Sequence, residues 1–291
     1  MATLADWLEG ARLRTLPAAV APVLLGTGAA AQVGGAHLGR AVLAAIVALA
    51  LQVGVNFAND YSDGVRGTDD VRTGPPRLTG GGKTAPRTVK VAAFASFGVA
   101  ALAGLALVAW SGVWWFLAVG AAAVVAAWYY TGGARPYGYM GLGEVFVFLF
   151  FGLVATVGTT YTQALVAPWT AWVGACGVGL IACALLMVNN IRDIPTDQEV
   201  GKHTLAVRLG DRAARRAFVV LLAVPLALAV VCAVVAPWAL IVLVLTPWVI
   251  WLARPVLRGT RERALIAVLA GTGRLELAYG ALLGLGLALA G

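Results

Sequence analysis

The sequence predicts an all-α, polytopic membrane bundle of about nine transmembrane helices around a central cavity. Its 291 residues are 61% hydrophobic and only 12% charged, about half of the ~25% charged content of a soluble domain. The apolar residues fall in continuous runs of about 20, the length a helix needs to cross some 30 Å of hydrocarbon. A barrel would show alternation in pieces of about ten residues instead.

The elements follow in order. Residues 1–12 carry Asp6 and Glu9 rather than a basic leader, and with Leu4, Trp7, Leu8 and then Leu13 they read as a segment lying along the membrane interface. The expected spans are 15–33, 40–60, 89–110, 112–131, 142–162, 169–191, 215–235, 238–254 and 272–290. Pro17 and Pro22 should kink the first span or loosen its first turns. Breaks at Ser111-Gly112, Ala167-Pro168 and Ala236-Pro237-Trp238 mark hairpins. Cys176, Cys183 and Cys232 all lie in apolar runs and read as small core hydrophobes, not as a disulfide framework. His37 and His203 are too few and too far apart for a zinc site. The whole chain, 1–291, is expected to form one transmembrane domain.

Charge sets the expected orientation. The net charge is +8, and with nine spans 20 of the 21 basic residues fall on one side, Arg40 alone on the other. The positive-inside rule makes that side cytoplasmic, with the amino terminus in and the carboxyl terminus out. The charge is split among short loops, so nucleic acid is not expected as a partner; the lipid bilayer is.

Two cytoplasmic loops, 60–88 and 190–214, stand out. The first follows N-F-A-N-D-Y-S-D-G-V-R-G-T-D-D-V-R-T-G-P-P-R-L at 56–78. Asn56, Asn59, Asp60 and Asp63 recur at steps of three and four and share a helix face. The second begins N-N-I-R-D-I-P-T-D-Q-E-V-G-K at 189–202, with Asn189, Asp193 and Asp197 four apart and Pro195 expected to make the helix end irregular. Their likeness, four spans apart, suggests an old duplication. Ionised groups near hydrocarbon are expensive, so acids at a membrane helix end point to a use. Two such clusters on one side can converge and hold Mg²⁺ through oxygen ligands, with phosphate oxygens completing the shell. Nearby arginines suit a diphosphate, and the apolar bundle suits a long hydrocarbon tail.

The first segment resembles the N-D-x-x-D-x-x-x-D motif of the UbiA superfamily of intramembrane aromatic prenyltransferases. Asn59, Asp60 and Asp63 match it, and its last position falls on Gly67. N-D-Y-x-D-G-x-x-G-x-D followed by R-x-G-P-x-R-L resembles the 1,4-dihydroxy-2-naphthoate polyprenyltransferase branch, in which Asp69 takes the missing place. The second segment is similar to the superfamily's D-x-x-x-D at Asp193 and Asp197, and G-K-x-T-L-A-V-R-x-G follows it. R-T-L-P-A-A-V-A-P-V-L-L-G-T at 14–27 and Y-T-G-G-A-R-P-Y-G-Y-M-G-L-G-E at 130–144 agree as well. The resemblance covers most of the chain to about residue 210.

It implies that Asn59, Asp60, Asp63, Asp69, Asp193 and Asp197 hold Mg²⁺ and its diphosphate, with the four aspartates Asp60, Asp63, Asp193 and Asp197 as catalytic groups. Arg66, Arg72, Arg77, Lys83, Lys202 and Arg135 would contact diphosphate oxygens. Asn56, Tyr130, Tyr139, Glu144, Asn189 and Asn190 would line the substrate pocket, Tyr137 beside them. The implied reaction moves a polyprenyl group from polyprenyl diphosphate to 1,4-dihydroxy-2-naphthoate with loss of CO₂, giving demethylmenaquinone. Three rivals are weighed against it. One is a relative with another aromatic acceptor, against which the branch-specific elements argue. Another is the CDP-alcohol phosphotransferases, whose D-x-x-D-G fits Asp60 to Gly64 but whose G-x-x-x-D-x-x-x-D sequel is missing. The third, an ion-coupled transporter, places its charges near the bilayer midplane rather than at helix ends.

Overall fold

The computed structural model describes residues 2–68 and 77–291; Asp69 and Arg72 lie outside the described residues, which form helices and no strand. The opening segment forms α1 (Leu4–Gly10), started by a reciprocal cap in which the Asp6 N–H donates to Thr3 Oγ1 and the Thr3 N–H donates to the Asp6 carboxylate. Arg12 adopts a left-handed conformation (φ 54°), and a 3₁₀ turn at Leu13–Thr15 leads into α2 (Pro17–Gln32). The bend of 46° falls at this junction. Pro17 occupies the first turn of α2, where its missing N–H is no loss, and Pro22 is accommodated inside the helix.

Helices α3 (Leu38–Arg66) and α4 (Pro86–Ser111) each end on a left-handed glycine, Gly67 and Gly112, both at φ 77°. Then come α5 (Phe116–Tyr129), α6 (Gly143–Ala164, π-helical over Phe148–Val154), α7 (Trp169–Glu199), the short α8 (Leu205–Leu209), α9 (Asp211–Cys232), α10 (Pro237–Leu257, opening as 3₁₀) and α11 (Leu265–Ala288). Each of the nine expected spans is therefore helical. Seven helices are long and apolar enough to cross a membrane, and the α1–α2 pair makes an eighth; α5 is apolar but has only 14 residues. One expectation fails: α7 passes through Pro195 without breaking and continues to Glu199. The proline removes a single backbone bond one turn from the helix end, too little to unwind it.

Helix α7 lies at the centre, with 72% of its apolar stretch buried. Val178, Ile181, Met187 and Val188 on it pack with Leu25, Phe218, Leu222, Leu252 and Leu283. Helices α2 and α11 meet backbone to backbone at Gly28 and Gly284: a Cβ on Gly28 would stand 2.0 Å from the Gly284 carbonyl oxygen. Small residues permit this approach, which matters in lipid, where dispersion and close packing hold helices together. The other half of the bundle, α3 to α6, packs less tightly and encloses a cavity. Trp110, Trp114, Trp115, Trp169, Trp172 and Trp238 are exposed. All sit at helix ends remote from the acidic motifs, as in an aromatic interfacial belt.

Candidate active site

The last turns of α3 bury Asn56, Asn59, Asp60 and Asp63, and the last turns of α7 bury Asn190, Asp193 and Asp197. Helix alternation brings both ends to one face of the bundle. There they open on a cavity of about 610 Å³, whose polar end is lined by Asn56, Asn59, Asp63, Arg77, Tyr130, Tyr139, Asn189, Asn190, Asp193, Asp197 and Lys202. Its deeper walls are apolar: Leu51, Val55, Ala100, Val124, Phe146 and Phe150 among others.

Asp63 is the hub. Tyr139 Oη donates to its Oδ1 at 2.7 Å, while Lys202 Nζ and an Arg77 nitrogen stand 3.5 and 3.8 Å from Oδ2. The Lys202 ammonium also lies 4.5 Å over the Tyr139 ring, and the Arg66 guanidinium 5.0 Å from the same centroid. Burial disfavours the Lys202 ammonium, but the Asp63 carboxylate, with Tyr139 and Asp197, outweighs it and holds the lysine above its usual range. Burial and the Asp63 charge likewise push the Tyr139 hydroxyl upward, so at neutral pH it remains a donor.

On α7, Arg192 clasps its neighbour Asp193 with two bonds of 2.6 and 2.5 Å and reaches Asn189 Oδ1 at 2.9 Å. Asn190 donates to Glu144 Oε1 at 3.3 Å, so Glu144 stands behind the cavity wall rather than in it. Asn59 Oδ1 accepts from Thr131 Oγ1 at 2.8 Å. Asn56 donates to the Ala11 carbonyl at 2.9 Å and so ties α3 to the start of the chain. Tyr130 and Tyr137 meet edge to face at 5.5 Å and both line the cavity.

With Glu144, five of the expected residues stand outside the cavity lining. The Asp60 oxygens accept the backbone N–H groups of Leu78 and Thr79 at 2.9 and 2.8 Å. Asp60 thereby pins the returning loop to α3 and delivers Arg77 to Asp63. Arg66 holds the Thr131 and Gly133 carbonyls. Lys83 pairs with Asp6 at 2.5 Å and reaches Glu9 at 3.8 Å; its charge is spent on α1. Arg135 is exposed. Polar cavity residues outside the expected set include Arg12, Thr15, Gln52 and Thr68. Thr68 lies five residues past Asp63 and its hydroxyl is 3.2 Å from Tyr139 Oη, but nothing in its local spacing sets it apart.

Among the described residues no three Asp, Glu, His or Cys side chains stand close enough to hold a metal by themselves. Asp63 comes from one helix and Asp193 and Asp197 from another, and all three carboxylates line one cavity. Such a set fits a hard cation whose remaining ligands come from a substrate's own oxygens.

The fold and this pair of acidic helix ends define an intramembrane prenyltransferase: residues 19–289 match the UbiA prenyltransferase family, to which the chain belongs. The chain is 50% identical over 273 residues to the 1,4-dihydroxy-2-naphthoate octaprenyltransferase of Mycobacterium tuberculosis, covering 94% of this chain and 93% of that protein. It is 42% identical over 222 residues to the enzyme of the same name from Escherichia coli, covering 74% and 72%. In fold it is similar to a UbiA homolog from Aeropyrum pernix (TM-score 0.69, 17% identity, 94% and 97% covered). It is also similar to a UbiA homolog from Archaeoglobus fulgidus bound to DMAPP and Mg²⁺ (TM-score 0.64, 16% identity, 96% and 99% covered).

Proposed function

We propose that this chain transfers a polyprenyl group from its diphosphate to 1,4-dihydroxy-2-naphthoate. A ring carbon forms the new bond to C1 of the prenyl group, diphosphate leaves, and the ring carboxylate departs as CO₂, giving demethylmenaquinone in its reduced form. The observation that carries this reading is the cavity itself, with two facing acidic helix ends and a lysine at its head and a long apolar wall beneath. The names of the relatives at 42–50% identity support the choice of acceptor.

Asp63, Asp193 and Asp197, with Asn59, would hold Mg²⁺ against the diphosphate. When bound, the ion neutralises charge on the leaving group. Lys202 and Arg77 add fixed positive charge beside it. The acceptor ring, electron-rich from its two hydroxyls, needs no strong base to attack an ionising allylic centre. The apolar wall has a second duty, keeping water from the cationic carbon. The loops carrying these residues are assigned to the cytoplasmic face of the cell membrane by the one-sided distribution of Lys and Arg.

The test is an assay of purified protein with a polyprenyl diphosphate and several aromatic acceptors. EDTA abolishes turnover and Mg²⁺ restores it; full turnover after exhaustive metal removal overturns the metal–diphosphate reading. Equal turnover with unrelated phenols overturns the acceptor.

A further inference from the structure

A second groove lies on the outer surface of the bundle, where the end of α3 meets the start of α4. It shares no lining residue with the cavity. Tyr61 and Val65 of α3 and Arg87, Lys90, Val91 and Phe94 of α4 form its walls. Its floor is aromatic. Tyr61 and Trp128 stack with centroids 6.1 Å apart, and the Phe94 ring stands 5.0 Å from Trp128. The Lys90 ammonium lies over both stacked rings, 5.5 and 5.7 Å from their centroids. Arg87, exposed, stands one turn nearer the start of α4. Arg77, Lys83 and Lys202 each hold an acid. Among the described residues Arg87 and Lys90 hold none, and no carboxylate lines the groove.

Beyond the two cations the surface turns apolar. Val65, Val91 and Phe94 are 59%, 61% and 50% exposed. Val91, Phe94, Gly98 and Leu102 follow at steps of three and four and so share one face of α4. Gly98 leaves that face open, since a Cβ there would meet nothing within 4 Å. Cations in the first turns of a membrane helix, with an exposed hydrocarbon stripe below them, match the two ends of a phospholipid. Basic pockets at the cytoplasmic ends of membrane helices suit anionic heads. A zwitterionic head brings its own ammonium, which would meet two cations and no carboxylate. The ring faces that could otherwise take that ammonium are already covered by Lys90. Inorganic phosphate would leave the apolar stripe unused. We propose that the groove holds one anionic glycerophospholipid, its phosphate between Arg87 and Lys90 and an acyl chain along Val91, Phe94 and Gly98. Tyr61 belongs to the acidic motif, between Asp60 and Asp63, so the bound lipid braces α3 against α4 and α5 at the level where the acids stand.

Full-length protein in detergent is given equimolar dioleoyl phosphatidylglycerol and dioleoyl phosphatidylcholine, and the lipid it retains is counted by native mass spectrometry. The wild type keeps phosphatidylglycerol over phosphatidylcholine by about twentyfold, each cation beside an anionic head contributing about fivefold. In the double variant Arg87→Gln/Lys90→Gln the ratio falls to within about twofold. Arg254→Gln/Arg258→Gln removes two exposed cations from the end of α10 and keeps the wild-type ratio. A wild type without preference overturns the proposal, and that measurement needs no variant to fold. Equal loss in the two double variants overturns it as well, the preference then belonging to the net charge of the face and not to the groove. So does a full preference retained by Arg87→Gln/Lys90→Gln.

Discussion

Asp63 gathers partners from three distant segments, Arg77, Tyr139 and Lys202, which makes it the position where one substitution should reach furthest. Asp63→Asn keeps the shape and removes the charge, leaving two cations facing each other without it. Asp63→Asn and Asp193→Asn should each lower kcat by two orders of magnitude or more, about 3 kcal/mol of transition-state stabilisation. The double variant should be scarcely slower than the worse single, because groups that act as a unit are not additive. An unchanged rate in Asp193→Asn would reduce the second loop to a connector. At this scale the sequence was partly legible. Asn59, Asp63, Asp193 and Asp197 announce themselves by helical spacing at the end of an apolar run. Asp60 belongs to the same run, yet its carboxylate faces the returning loop rather than the cavity, a choice made by Leu78 and Thr79, 18 and 19 positions on. Lys83 looked like one more phosphate ligand because its true partner, Asp6, is 77 positions earlier.

The helices themselves were the most legible level, since hydropathy alone locates all nine. What it under-read was where they end. Helix α3 runs six residues beyond the expected 60 and α7 eight beyond the expected 191, because these helices continue past the hydrocarbon into the polar face, where apolar runs stop but helical hydrogen bonding does not. Those extra turns carry Asp63, Asp193 and Asp197. Helix contacts are legible only from structure. Gly28→Ala should destabilise the protein markedly, by about 1–3 kcal/mol or more, since the new methyl would meet the backbone of α11. Gly98→Ala, where a Cβ meets nothing within 4 Å, should be neutral or stabilising by up to about 1 kcal/mol. Thermal unfolding in detergent, read on both variants, checks the pair, and equal melting temperatures would refute the close-contact account of α2 and α11.

For the whole molecule, counting α5 as a crossing beside the seven long helices and the α1–α2 pair gives nine spans, and that count predicts termini on opposite sides. A reporter fused after Gly291 should lie outside the cytoplasm and one inserted near Thr84 inside; finding both on one side would refute an odd number of crossings between amino and carboxyl ends or the assignment of the motif face. Helix α5 adds a constraint of another kind. It has 14 residues, about 21 Å of helix against roughly 30 Å of hydrocarbon. Exposed Trp114 and Trp115 stand at one end and exposed Tyr129 at the other, anchors that resist being drawn inward. Thr131, just past that second anchor, holds Asn59. A bilayer that α5 crosses would have to thin beside it, at an elastic cost of a fraction of a kcal/mol per ångström of mismatch. A thicker membrane would then pull on the same peptide that positions the acidic motif, making lipid chain length a mechanical load on the chemistry.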